Sequence, residues 1–284
     1  MCPIGGYQMP KNKDGAELFD AYYEGVYKNR WQCLKSAMMQ QRRYAGIYKQ
    51  PVDNPWLFPW LTQYPNEDDD AYFLDPASVW AASQLPLENG DRVLDMCAAP
   101  GGKSLVTAKR MGPDSQLICN DQNPKRLHRL KTVMTDFAGH AQWSAYCKHG
   151  AWYGMNQPNH YDAVLLDAPC SSERHWITDP KWLSKWRGGR SRNLAVLQGS
   201  LLASALDAVK PYGHVLYMTC SISPKENDEL VERLLKKRRF CVKPVDNFHE
   251  TTLHGVCILP DKPHASDGAT GWGPLYLSLL QKMP

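Results

Sequence analysis

A short apolar run at Ala163–Leu166 breaks into Asp167, Ala168, Pro169 and Cys170, and another at His214–Met218 breaks into Thr219, Cys220 and Ser221. Each run reads as a buried strand, so each cysteine stands just past a strand's carboxyl end. In an open α/β sheet, ligands bind in the crevice beyond those ends, where strand order reverses. Both thiols are therefore expected to face one pocket. A further run, Val93, Leu94 and Asp95, leads into Cys97, Ala98, Ala99, Pro100, Gly101, Gly102 and Lys103, a turn of small residues that lets a ligand approach the backbone. A ligand turn and two potential thiolate nucleophiles in one crevice point to covalent group transfer.

These groups need elements to hold them. Arg92–Met96 is predicted as the strand feeding the glycine-rich turn, and Ser104–Met111 as the helix leaving it, with free amides at its start facing the loop. Gln116–Asn120 is the next strand, with Asp121 at its tip. An acidic residue about 20 residues past such a turn is where α/β nucleotide folds hold a ribose hydroxyl, so an adenosine-containing cofactor is expected. The turn lacks both the full G-x-G-x-x-G and the G-x-x-x-x-G-K-[ST] patterns, which disfavours a phosphate cradle. Pro76–Gln84 reads as helical, and Leu194–Val209 carries a helical apolar stripe stopped by Pro211 and Gly213. Alternating strands and helices predict an α/β fold with a mostly parallel, doubly wound sheet. Ahead of it, Leu18, Phe19, Tyr22, Tyr23, Val26, Tyr27 and Trp31 recur at helical spacing, and a second helix is expected over Cys33–Tyr44. Pro51–Asp70, with four prolines among Trp56, Phe58 and Trp60, reads as an irregular packed connector whose acidic triplet Asp68–Asp70 is solvated. Residues 1–70 are expected to form an arm packed on a core of residues 71–284.

Composition narrows the class. At 284 residues the chain can bury a large core without staples. Nine cysteines, without C-x-x-C or Cys/His metal spacing, speak for reduced thiols and against zinc or any other metal. Cys97 within the turn, and Cys2, Cys33, Cys119, Cys147, Cys241 and Cys257, read as small buried hydrophobes. No run of about 18 apolar residues or signal-like start is present, so a soluble cytoplasmic protein without membrane attachment is expected. A net charge of +4 excludes a histone-like binder but permits local basic patches.

The motifs VLDMCAAPGGK (Val93–Lys103), Asp121 with Arg126, DAPCS (Asp167–Ser171) and TCSISPKEN (Thr219–Asn227) occur in this order, and together they resemble the Nol/Nop/Sun-type RNA cytosine-5 methyltransferases. The N-terminal FDAYYEGVYKNRW, the DAPCSSERH form and the terminal GWGPLYLSLLQK are most similar to the short branch holding mitochondrial rRNA and tRNA members and bacterial relatives. The likeness spans nearly the whole chain. It implies a Rossmann-like methyltransferase sheet with a helical N-terminal arm, S-adenosylmethionine as methyl donor, and an RNA cytosine, in rRNA or tRNA, as acceptor. A mitochondrial location becomes the alternative for a eukaryotic source. By the resemblance Cys220 is the nucleophile and Cys170 assists release, whereas position alone leaves the thiols interchangeable, since DNA cytosine methyltransferases use the Pro-Cys position. It also implies Asp167 near the base and methyl donor, Lys103 as a contact to either, Asp121 on the ribose hydroxyls and Arg126 beside it. Where the family has Asp-Gly against adenine, this chain has His149 and Gly150, so His149 is either a substituted adenine contact or faces solvent.

Arg174, His175, Trp176, Lys181, Trp182, Lys185, Trp186, Arg187, Arg190 and Arg192 crowd the segment Glu173–Arg192, which is expected to be an exposed loop holding unpaired RNA through stacked rings and phosphate contacts. Lys236–Arg239 suits a helix end without any RNA. No KH or zinc-finger pattern is present, so target recognition falls to the arm or to a partner protein, and a monomer is expected. Two other readings stay open: a noncatalytic RNA-binding or ribosome assembly factor, and a DNA cytosine-5 methyltransferase.

Overall fold

The computed structural model describes residues 14–50, 61–62, 70–245, 249–263 and 270–284. Helix α1 (Gly15–Tyr27), capped by the Asp14 carboxylate, gives way at Lys28 to a single 3-10 turn before α2 (Trp31–Met39). The expected first helix is thus broken, because Lys28 takes a left-handed φ of 53°. The second ends at Met39 rather than Tyr44, and the chain extends into β1 (Ala45–Tyr48). With β2 (Leu61–Thr62) and β3 (Ala71–Leu74), β1 forms a small antiparallel sheet inside the region read as an irregular connector. The other connector residues lie outside those described, apart from Asp70, which is exposed and pairs with Lys49.

The core then runs α3 (Pro76–Ser83), β4 (Arg92–Asp95), α4 (Gly102–Arg110), β5 (Gln116–Asn120), α5 (Pro124–Phe137), β6 (Gln142–Tyr146), α6 (Ala151–Asn156) and β7 (Tyr161–Asp167). It continues with α7 (Glu173–Thr178), α8 (Pro180–Leu183), α9 (Gly189–Ala208), β8 (Val209–Thr219), α10 (Asp228–Leu235), β9 (Phe240–Lys243), β10 (Glu250–Thr251), β11 (Val256–Ile258) and β12 (Leu275–Lys282). The main sheet is ordered β10-β11-β12-β8-β7-β4-β5-β6, with β9 on β12. Strands β4 to β8 pair in parallel, while β9 to β12 add antiparallel partners at one edge. Because β4 lies between β5 and β7, chain order reverses at its end, the place where doubly wound sheets open a crevice.

One sheet face packs under α3, α4 and α5 through Val93, Leu105 and Leu130, and the other under α6, α9 and α10 through Leu94, Leu202 and Leu230. A third apolar cluster joins the arm to the carboxyl ends of the strands. Phe19, Tyr23, Trp31 and Leu34 of α1 and α2 pack there with Trp176, Trp186 and Ile222, all buried. The segment Glu173–Arg192 is therefore not an exposed loop. It folds into α7, α8 and the start of α9, and turns Trp176 and Trp186 inward because large aromatic surfaces gain most when removed from water, leaving Trp182 exposed. None of the described helices is long and apolar enough to cross a membrane.

Candidate active site

Strand β4 ends in Asp95, and the backbone leaves it through a turn that Gly101, at φ 119°, allows to swing directly into α4. A β-carbon at Gly101 would also sit 3.3 Å from Val133. The turn is tied to its neighbours by Ala98 N, which donates to Asn120 O at 2.7 Å, and by Arg126, which donates to Ala99 O. Asn120, on the last residue of β5, donates to Met96 O and Lys148 O, both at 3.0 Å, and so fastens three strand tips together.

Asp121 follows directly. Its Oδ1 accepts from Asn123 N at 2.9 Å; its Oδ2 is buried with no hydrogen-bond donor among the described residues, and Arg126 Nη1 stands 3.4 Å away as an ionic neighbour. This acceptor lines a cleft with Met96, Cys97, Arg126, His149, Gly150 and Leu201. A β-carbon at Gly150 would meet the Leu201 side chain at 2.6 Å, so the wall is closely packed here. His149 is exposed on the wall of this cleft, with Nδ1 accepting from Ala151 N at 3.3 Å, so one ring nitrogen is committed to its own turn.

A second cleft shares Cys97 and is lined by Tyr72, Asp95, Pro100, Lys103 and Asp167. Lys103 donates to Asp167 Oδ2 at 2.8 Å. Burial pulls the Lys103 ammonium down, but the Asp167 carboxylate outweighs it and holds the group above its ordinary value, so the lysine stays charged. Asp95 accepts from the Ser104 hydroxyl at 2.7 Å. Burial pushes its carboxyl up to about 7, helped by the Asp167 charge and opposed by the Ser104 bond.

The thiols meet above these clefts. Parallel pairing of β7 with β8 sets Asp167 opposite Met218, so the two following loops run side by side and Cys170 Sγ lies 2.8 Å from Cys220 Sγ. The environment is asymmetric. The contact with Cys220, and burial besides, push Cys170 well above a thiol's ordinary value. Cys220 is lowered by that same bond, by the Ser172 hydroxyl at 3.1 Å and by the Lys103 charge, against burial and the Asp167 carboxylate. Of the two thiols, Cys220 is thus the one whose surroundings favour the thiolate, the form in which sulfur is nucleophilic.

Every sequence-derived site residue from Cys97 to Lys103, together with Asp121, Arg126, His149, Gly150, Asp167, Cys170 and Cys220, is thus gathered beyond the carboxyl ends of the parallel strands. Residues 82–268 match the family model described as 16S rRNA methyltransferase RsmB/F. The chain belongs to that family. Against curated RsmB/F-like relatives it is 36% identical over 243 residues to the mitochondrial tRNA (cytosine(34)-C(5))-methyltransferase of Danio rerio, covering 79% of this chain and 62% of that one. It is 32% identical over 232 residues to the 5-cytosine rRNA methyltransferase NSUN4 of Mus musculus, covering 76% of this chain and 61% of that one. The chain therefore spans about three-fifths of those relatives' length. A solved methyltransferase homolog from Pyrococcus horikoshii shares the fold with a TM-score of 0.75 at 20% identity, over 94% of this chain and 95% of that one.

Two groups of residues in this RsmB/F chain were read differently from sequence. Arg174, assigned to RNA, is buried and donates to the carbonyls of Met38, Gln40, Gly271 and Gly273, bolting the arm and the C-terminal loop onto α7. Trp176 and Trp186 are 7% and 1% exposed and cannot stack on bases. Lys181, Trp182, Lys185, Arg187, Arg190 and Arg192 do remain exposed. The buried-hydrophobe reading holds for Cys119, whereas Cys33 and Cys147 are exposed, Cys97, Cys241 and Cys257 half-buried, and Cys2 lies outside the described residues. Asn120, Ser172 and Glu173 were not singled out, although the strand-end position of Asn120 beside Asp121 was a usable signal.

Proposed function

We propose that the protein is an S-adenosylmethionine-dependent methyltransferase that modifies carbon 5 of an unpaired cytosine in rRNA or tRNA. The observation that carries this reading is the thiol pair, Cys170 Sγ 2.8 Å from Cys220 Sγ, with the Lys103–Asp167 ion pair close enough to act on Cys220. The methyl donor fits the first cleft: the unfilled Asp121 Oδ2 suits ribose hydroxyls, and the walls formed by His149, Gly150 and Leu201 suit an adenine. When bound, this cofactor supplies an electrophilic methyl group.

The chain's own residues supply the rest. Carbon 5 of cytosine is a weak nucleophile, so the Cys220 thiolate adds to carbon 6, forming a C–S bond and shifting the ring electrons so that carbon 5 becomes enamine-like. Asp167 accepts from the exocyclic amine and the protonated ring nitrogen, a pairing that uracil cannot offer, and Lys103 holds that carboxylate in place. Once carbon 5 carries the methyl group, its hydrogen leaves as a proton to solvent, the C–H electrons re-form the carbon 5–carbon 6 double bond, and the C–S electrons return to sulfur, regenerating the Cys220 thiolate. Cys170 holds the proton that the departing sulfur faces, which assists release. Exposed Lys181, Lys185, Arg187, Arg190 and Arg192 on α8, α9 and the turn between them supply phosphate contacts near the thiols.

Incubating the purified protein and S-adenosylmethionine with unmodified rRNA and tRNA, followed by bisulfite sequencing, tests the reading. At least one cytosine should become protected from conversion; unchanged conversion at every cytosine in both RNAs would reject it.

A further inference from the structure

Two carboxylates lie fully buried behind the thiol loops, Glu173 and Glu226, each 0% exposed and with no ion-pair partner among the described residues. A buried carboxylate without a cation survives only by collecting hydrogen-bond donors. Glu173 Oε1 accepts from the Tyr23 hydroxyl at 2.6 Å, from the Ser221 hydroxyl at 3.2 Å and from the Ser171 hydroxyl, and its Oε2 accepts from Ile222 N at 3.1 Å. Glu226 accepts from Ser171 N at 3.0 Å, Gln198 Nε2 at 2.8 Å and the Ser171 hydroxyl at 2.6 Å.

The identity of these donors is informative. Ser171 immediately follows Cys170, Ser221 immediately follows Cys220, and Tyr23 belongs to helix α1 of the arm. One carboxylate therefore grips the residue after each thiol and fastens both to a separate element. The Ser171 hydroxyl has one proton to give and touches Glu173, Glu226 and, at 2.8 Å, Ser221, so it serves one acceptor at a time and ties the three groups into one buried cluster. Burial, and next the facing Glu226, push the Glu173 carboxyl upward.

We propose that Glu173 is a positioning residue which, braced by Tyr23 of the arm, holds the Cys170 and Cys220 loops in register so that the two thiols stay in contact. The proposal deepens the covalent reading above, but its test does not depend on methyl transfer. If the clamp loosens, Cys220 loses the bonds from Cys170 and Ser172 while burial and Asp167 continue to oppose the thiolate, so its titration moves to higher pH. Site-resolved alkylation by iodoacetamide, followed by peptide mass spectrometry across pH, reports thiolate at each cysteine.

Tyr23→Phe removes one hydroxyl and keeps the ring in its pocket, and Glu173→Gln keeps the volume of the side chain. Both should shift the Cys220 midpoint upward, slowing its alkylation at neutral pH by about threefold or more, which corresponds to about half a pKa unit. Exposed Cys33 should react as in the parent protein, and S-adenosylhomocysteine affinity should stay constant. Should Glu173→Gln fail to fold, Tyr23→Phe decides alone. An unmoved Cys220 midpoint together with a lowered melting temperature would overturn the proposal and leave Glu173 a residue of the fold only. Failure of methyl transfer with a moved midpoint would instead reject the RNA reading and keep the clamp.

Discussion

Two cysteines of the same type, a hydrogen bond apart, are given different chemistry by the groups around them. Ser172 is part of this asymmetry: it holds a left-handed φ of 54° that non-glycine residues adopt at a cost of about 1 to 3 kcal/mol, and its hydroxyl points at Cys220. At the cofactor cleft the informative atom is Asp121 Oδ2, a buried acceptor with no donor among the described residues. Asp121→Ala should weaken S-adenosylhomocysteine binding by about 1 to 3 kcal/mol, the usual cost of leaving ligand hydroxyls unpaired, as read by calorimetric titration. Unchanged affinity would remove Asp121 from the site. The positions of Asp121, Asp167 and the two thiols were legible in the sequence because each follows a short apolar run, and strand ends fix location whatever the rest of the fold does. Ser172 and Glu173 were not legible, because their roles depend on which loop lies opposite, and nothing local encodes that.

At the scale of elements, the glycine turn and the strands flanking it match the reading from periodicity, since buried parallel strands advertise themselves as continuous apolar runs. The segment Glu173–Arg192 misleads for a physical reason. Rings interleaved with cations describe both an RNA-stacking surface and an aromatic core whose polar face is solvated, and helices of six and four residues are too short for periodicity to separate the two. The small β1–β3 sheet was hidden by the prolines around it. What remains to support the proposed RNA role is a band of exposed cations. Replacing Lys185, Arg187 and Arg190 with alanine should weaken RNA binding and flatten its dependence on salt, because fewer counterions are released per complex, while cofactor affinity stays constant. A salt slope equal to the parent's would place the RNA elsewhere on the surface.

The whole molecule brings three chain segments together at the carboxyl ends of the parallel strands. The switch at β4 opens the cofactor cleft, the parallel β7–β8 pair delivers the thiols beside it, and the arm seats Trp31, Phe19 and Tyr23 against the loops that carry those thiols. The arm is thus joined to the chemistry through its apolar contacts and through Tyr23. The central claim is that this assembly makes Cys220 the attacking sulfur and Cys170 the group that assists its departure. Denaturing gels of Cys220→Ala and Cys170→Ala, each incubated with substrate RNA and S-adenosylmethionine, test it most directly. Cys220→Ala should give neither methyl transfer nor a protein–RNA band, and Cys170→Ala should accumulate a covalent band that resolves slowly; a band in Cys220→Ala but not in Cys170→Ala would contradict the assignment.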